Sequence, residues 1–201
     1  MKSLENAIKV IKATYRPEAA IFWTGGKDST VMLHIIRSVF GEIKNPIIVL
    51  DSQDEFPEIY DFIEKYKEEW KLDVHVFRYD APTADDSRLN KIKALKEAVT
   101  TLKIEQAYVA IRRDESEARS QETYISLRDD HTRIHPILDF TFDDIWKYTK
   151  EYNVPYCVLY DQGYKSLGEK SFTKPTEGSE RSGREQEKER IMKLLRKMGY
   201  F

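Results

Sequence analysis

The chain has 201 residues, enough for one domain with a substantial core. It is 34% charged, carries twelve Tyr, nine Phe and three Trp, and has a net charge of −2, so no global basic field points to nucleic acid. No apolar run is long enough to span a bilayer, and residues 1–7 lack the apolar core of a secretion signal, so a soluble cytoplasmic protein is expected.

Periodicity predicts a helix over residues 4–14. An apolar strand over 19–23 then runs into Thr24-Gly25-Gly26-Lys27-Asp28-Ser29-Thr30, and an apolar helix over 31–40 follows at once. Paired glycines let backbone N–H groups turn inward with no side chain in the way. The helix start adds unpaired donors and a partial positive charge, and Lys27 adds a full one. Such a turn suits a phosphate or sulfate group. It is not a Walker-type loop, because Asp28 follows the lysine and no glycine stands five residues before Gly26. The plain alternative is a strand–turn–helix corner whose glycines serve geometry alone.

Apolar runs at 47–50, 74–79 and 107–111 read as further strands. Between them, residues 57–71 place Ile59, Phe62, Ile63, Tyr66 and Trp70 on one helical stripe, and residues 89–102 do so with Leu89, Ile92, Leu95, Val99 and Leu102. Strands alternating with helices of this length form parallel βαβ units, so the expected fold is α/β, a doubly wound and mainly parallel sheet. Ligands of such sheets sit beyond the carboxyl ends of the strands. Polar residues follow each predicted strand: the glycine loop, Asp51-Ser52-Gln53-Asp54-Glu55, Asp80, and Arg112-Arg113-Asp114-Glu115. The adjacent arginines, with Arg119 behind them, suit a bidentate clamp on phosphate or sulfate; the plain alternative is a surface ion-pair cluster with Asp114, Glu115 and Glu117.

After residue 119 the alternation stops. Thr141-Phe142-Asp143-Asp144 has capping-box character and opens a helix through Tyr152. Residues 163–168 read as an irregular loop, and residues 177–186 as a polar segment, either a lid or a solvated linker. Ile191, Leu194, Leu195 and Met198 mark a closing amphipathic helix. Residues 1–175 are expected to form the main domain, with the polar segment and C-terminal helix over 176–201. The single cysteine, Cys157, lies in an apolar stretch and reads as a buried spectator; it can form no internal disulfide, and cysteines cannot supply an iron–sulfur cluster. His34, His75, His131 and His135 are scattered, without metal-site spacing.

Residues 22–30 resemble the S-G-G-x-D-S/T loop of the ATP-pyrophosphatase (PP-loop) superfamily. Residues 51–58 resemble the D-T/S-x-x-x-F-P-E segment of the phosphoadenylylsulfate (PAPS) reductase family, whose start lies against adenosine. Residues 110–119 fit the family's A-x-R-R-x-x-S-x-x-R. His135-Pro136 through Trp146 fits H-P-L-x-x-W-T-x-x-D-V-W, with Trp146 expected in the core and His135 packed near the sheet end. Residues 159–168 match L-Y-D-x-G-Y-x-S-L/I-G, shared by PAPS reductases and eukaryotic-type FAD synthetases. The resemblance covers residues 18–175 with its motifs in the family's order.

The resemblance implies an adenine nucleotide α-hydrolase-like, Rossmann-like fold. It implies nucleotide and phosphate contacts from Thr24, Gly25, Gly26, Ser29, Thr30, Asp51, Ser52, Arg119, Tyr164, Ser166 and Gly168, and catalytic roles for Lys27, Asp28, Arg112 and Arg113. Asp28 would bind Mg²⁺ accompanying ATP, or cap the helix. The reductases' cysteines are missing: Glu169 and Phe172 stand where a C-x-x-C pair would be, and the C-terminal residues 197–201 offer no nucleophilic thiol. The expectation is therefore a retained nucleotide site without redox chemistry: ATP-dependent adenylyl transfer to sulfate or FMN, releasing pyrophosphate. The alternatives are a protein that binds PAPS, adenylylsulfate or ATP without turnover, and a divergent PAPS reductase. A homodimer and a partner subunit both stay open.

Overall fold

The structure, a computed structural model, describes residues 1–184. The closing helix expected around Ile191 to Met198 lies outside the described residues. In chain order the elements are α1 (Lys2–Thr14), β1 (Ala20–Phe22), α2 (Lys27–Phe40), β2 (Ile47–Asp51), α3 (Pro57–Glu69), β3 (Val74–Arg78), α4 (Ala84–Thr101), β4 (Gln106–Tyr108), β5 (Ile125–Leu127), β6 (Thr132–Ile134) and α5 (Phe142–Glu151). They form one six-stranded sheet in the order β3-β2-β1-β4-β6-β5. Every neighbouring pair is parallel except β5–β6. This is the doubly wound, mainly parallel α/β sheet that the alternation of strands and helices predicts.

The central strands read as unbroken apolar runs because both sheet faces are covered. Successive strand residues point to opposite faces. Ile21 and Ile47 join the larger core with α1, α2, α3 and α5, while Ala20, Ile48 and Ala107 meet Leu95, Ala98 and Val99 of α4 on the other face. Thr83 caps α4 by accepting from the Asp86 amide at 3.1 Å. The apolar stripe of this helix starts at Ile92: Leu89, expected on it, is 48% exposed. The predicted capping box opens α5, with Thr141 Oγ1 accepting from the Asp144 amide and Asp144 Oδ2 from the Thr141 amide. Trp146 is half-buried rather than in the core, its ring edge-on to Tyr156 and Tyr160.

Two features differ from the sequence reading. Helix α2 begins at Lys27, so Lys27, Asp28, Ser29 and Thr30 form its first turn rather than the tip of a loop. The preceding Gly26 is extended, with φ −74° and ψ 158°, and hands the chain directly to the helix. The β5–β6 hairpin was not expected. Its buried residues are Ser126, Arg133 and Ile134, two of them polar, while Leu127 is 79% exposed, so it carries no apolar alternation.

Candidate functional site

A cavity of about 220 Å³ opens at the carboxyl ends of β1, β2 and β4. Phe22, Val49, Leu50, Val109 and Ala110 give it an apolar floor, and the glycine loop forms one wall. Gly25 has φ +70°, and a Cβ on it would stand 3.1 Å from Ile63 Cγ1 and 3.3 Å from Ile59 Cγ2. The loop therefore lies directly on α3, and only glycine fits that left-handed turn at no cost. Side chains lock the loop from within. Ser29 Oγ donates to the Gly26 carbonyl at 3.0 Å and accepts from the Thr24 amide at 3.2 Å. Thr24 Oγ1 accepts from the Gly26 amide at 3.2 Å.

The Lys27 amide donates to the Tyr160 hydroxyl at 2.9 Å. Burial, then the Asp28 charge, outweigh Lys27 and push the Tyr160 phenol up to about 12, so it stays neutral and can accept that bond. Tyr160 lies within the quoted Leu159-Tyr160-Asp161 motif, but nothing in that motif indicates that it caps the loop.

The charged centre of the site is a quartet. Lys27 is 2% exposed, with Nζ 2.9 Å from Asp28 Oδ2 and 2.5 Å from Glu180 Oε1. Arg112 is fully buried, with Nη1 2.8 Å from Asp28 Oδ1 and Nε 3.1 Å from Asp114 Oδ1, and its Nη2 also holds Glu180. Burial by itself would lower the Lys27 pKa, but Asp28, Tyr160 and Glu180 reverse the effect and hold the ammonium above its ordinary range. Burial would raise the Asp28 carboxyl, and Lys27 and Arg112 pull it below the usual carboxylate range instead. Burial would likewise lower Arg112, and Asp28, Glu180 and Asp114 raise it instead, so Lys27, Asp28 and Arg112 are ionised at neutral pH. The seat that Lys27 and Arg112 offer to an anion is filled by a carboxylate from the chain's own 177–184 segment.

That segment lies over the cavity. Arg181 Nη1 is 2.6 Å from Glu115 Oε1, which also holds Arg119 through its other oxygen. Arg184 Nη1 donates to the Leu167 carbonyl at 2.6 Å and to Ser166 Oγ at 3.3 Å. A Cβ on Gly168 would collide with the Arg184 guanidinium. Ser166 and Gly168 thus line the cavity and cradle Arg184. Glu180 and Arg184 are site residues that the sequence reading missed.

Several expected residues stand elsewhere. Arg113 turns away from the loop: its Nε and Nη2 donate to the Glu122 carbonyl at 3.2 and 3.0 Å, its Nη1 pairs with Asp139, and its guanidinium lies 5.6 Å from the Tyr124 ring centre. Arg112 is extended, with φ −128° and ψ 148°, so the next side chain is thrown to the opposite side. The two arginines are not a clamp. Thr30 is buried beneath the loop, its Oγ1 accepting from Trp23 Nε1 at 3.0 Å. Ser52 Oγ donates to Glu55 Oε1 at 2.8 Å inside its own turn. Tyr164 packs edge-on to Phe56, with ring centres 5.2 Å apart. Asp51 does line the cavity and accepts from the Gln53 amide at 2.8 Å and the Tyr60 hydroxyl at 2.7 Å. Cys157 is 1% exposed, and burial pushes its thiol up.

No group of three or more His, Cys, Asp or Glu side chains could hold a metal among the described residues. Both Asp28 oxygens are taken by cations. The donor set does not fit a magnesium site built by the protein.

The sequence model of the phosphoadenosine phosphosulfate reductase domain matches residues 18–175. The phosphoadenosine 5'-phosphosulfate reductase of Xylella fastidiosa strain 9a5c is 32% identical over 170 residues, covering 76% of this chain and 71% of that protein. The reductase of the same name from Aliivibrio fischeri strain ATCC 700601 / ES114 is 30% identical over 192 residues, covering 87% and 74%. Among solved structures, Candida glabrata FMN adenylyltransferase in complex with FAD and inorganic pyrophosphate superposes with a TM-score of 0.74 at 20% identity, covering 88% of this chain and 64% of that one. This chain thus spans just under two thirds of the adenylyltransferase. The Candida auris phosphoadenylyl-sulfate reductase phosphate complex gives 0.66 at 20% identity, covering 82% and 88%. A parallel sheet with a glycine loop after its first strand and a match across residues 18–175 lead to one assignment: the chain belongs to the phosphoadenosine phosphosulfate reductase domain family.

Proposed function

We propose that the chain binds ATP in this cavity and transfers its adenylyl group to an oxyanion acceptor, sulfate or FMN. The observation that carries this reading is the pair of buried cations, Lys27 and Arg112, converging beside the glycine loop on a single carboxylate that a phosphate can replace. An acceptor oxygen attacks the α-phosphorus, the bond to the bridging oxygen breaks, and pyrophosphate leaves with the electron pair. Lys27 and Arg112 meet the charge that grows on that leaving group. Asp28 orients both cations through one oxygen each. No covalent enzyme intermediate is needed, and positioning supplies much of the rate. The likeness to Candida glabrata FMN adenylyltransferase in complex with FAD and inorganic pyrophosphate supports the reaction type. Residues 1–175 would carry the nucleotide site, with 176–184 supplying its cover.

The names of the curated relatives favour a second reading, in which the nucleotide is PAPS or adenylylsulfate. Thiol-based reduction would then have to use Cys157, which is buried, and Glu169 and Phe172 stand where a C-x-x-C pair would be. Exchange of labelled pyrophosphate into ATP, with magnesium and each acceptor in turn, separates the readings. Exchange that depends on one acceptor supports the transferase. Nucleotide binding with no exchange for any acceptor overturns it in favour of a binding protein. Full activity of Cys157→Ser in any sulfonucleotide reduction would remove the thiol route.

A further inference from the structure

We propose that Arg88 of α4 is the seat of the second substrate's oxyanion, a sulfate, phosphate or carboxylate group that offers two oxygens to one guanidinium. This deepens the adenylyl-transfer reading and rests on it for the occupant of the glycine loop. Arg88 lies in the second turn of α4 and lines the cavity, yet it is only 4% exposed. Its Nη1 is bound to Asp85, one turn earlier. Its Nε and Nη2 reach no partner and touch no solvent. In a planar guanidinium these two nitrogens share one edge, the side-on fork that matches two oxygens of an oxyanion. Buried donors are almost always paired, and a pair of unpaired ones on the same charged edge is the mark of a missing acceptor.

The cavity wall supplies none. The Ser87 hydroxyl next to Arg88 donates to Glu169 Oε1 at 2.7 Å. Glu169 also faces the Tyr79 hydroxyl at 3.4 Å and Arg184 at 3.8 Å, and Glu55 accepts from Ser52. Neither carboxylate reaches the fork. The placement also separates this seat from the first. Helix α4 packs on one face of the sheet and α2 on the other, so Arg88 and the Lys27 turn approach the strand ends from opposite sides. Two anionic substrates held this way meet above the apolar floor.

The test loads the chain with magnesium and α,β-methylene-ATP, which fills the glycine loop, and then titrates inorganic sulfate and FMN by calorimetry, with riboflavin as the uncharged control. The wild type should bind one of the two anions and not riboflavin. Arg88→Met should weaken that anion by about tenfold or more while changing the ATP analogue by less than about twofold, and Arg88→Lys, which keeps the charge and loses the fork, should fall between. If Arg88→Met does not fold, Arg88→Lys decides alone. Unchanged anion binding in a folded variant, or no anion binding by the loaded wild type, overturns the site. Failure of the wild type to bind the ATP analogue overturns the nucleotide reading instead. Sulfate binding to Lys27→Ala without nucleotide then decides the Arg88 seat, which stands if adding Arg88→Met abolishes that binding and falls if it does not.

Discussion

Lys27 is nearly inaccessible, yet it is the cation nearest the glycine loop, and its substitution separates binding from folding. Lys27→Ala should weaken ATP binding by about 1.5–3 kcal/mol, the size of a charge-assisted hydrogen bond, as read by calorimetry. Unchanged affinity would mean that the ammonium only neutralises Asp28 and Glu180. Arg113 is expected to behave in the opposite way. Its guanidinium ties the Glu122 carbonyl and Asp139 together and makes no contact with the loop among these bonds. Arg113→Ala should cost about 1 kcal/mol of stability, because the site is partly exposed, and leave ATP affinity unchanged. A lower urea midpoint with intact nucleotide binding is the expected pair of results. Loss of affinity at constant stability would return Arg113 to the site. The sequence shows two adjacent arginines at a strand end; which one faces the ligand depends on the backbone angles of Arg112, and those are set by the docking of the Arg113 amide onto the Leu138 carbonyl.

At the scale of elements, the 177–184 segment behaves as a built-in competitor. Glu180 holds the cations that a phosphate needs, so nucleotide binding must break those ion pairs. Glu180→Gln removes the charge and keeps the shape. It should lower the melting temperature of the nucleotide-free chain and tighten ATP by about 1 kcal/mol, enlarging the thermal shift on adding ATP. An unchanged shift would show that the segment lies over the cavity without competing. How far each element could be read from the sequence follows its physics. The runs that became β1, β2 and β4 were legible because parallel strands covered on both faces are largely apolar, and β3, at the sheet edge, by its β-branched and aromatic residues. The turn at Gly25 was legible because a left-handed residue pressed onto α3 has to be glycine. The β5–β6 hairpin was not, since two of its three buried residues, Ser126 and Arg133, are held by hydrogen bonds to His135 and His131 rather than by apolar area. Glu180 was not either, because a carboxylate in a polar segment carries no mark of the cations it will find.

The whole molecule joins a parallel core to an antiparallel end, and His135 sits at the junction. It is fully buried just after β6, with Nδ1 3.0 Å from the Val109 carbonyl beyond β4 and Nε2 3.2 Å from Ser126 Oγ in β5. A carbonyl can only accept, so Nδ1 carries the proton and Nε2 accepts from the serine. Burial depresses the imidazole pKa from 6.5 to about 4, so the ring is neutral in the fold. In the unfolded chain it protonates near 6.5. Between those values the unfolded state binds one proton more, so stability must fall as pH drops from about 6.5 towards about 4 and level off below that for this group. The span caps the loss at roughly 3 kcal/mol. His34 and His131 are depressed too, chiefly by burial, and add to the same slope. Burial would raise the Glu122 carboxyl, but the Thr123 amide and the Arg128 guanidinium pull it below the usual carboxylate range, so it contributes stability that is lost only at more acid pH. Urea unfolding from pH 7 down to about pH 4.5 should therefore show a steady decline, and His135→Asn, which keeps the hydrogen bond to Val109 and cannot titrate, should flatten it. An equal slope in the variant would place the acid sensitivity in the other histidines and leave the junction indifferent to protonation.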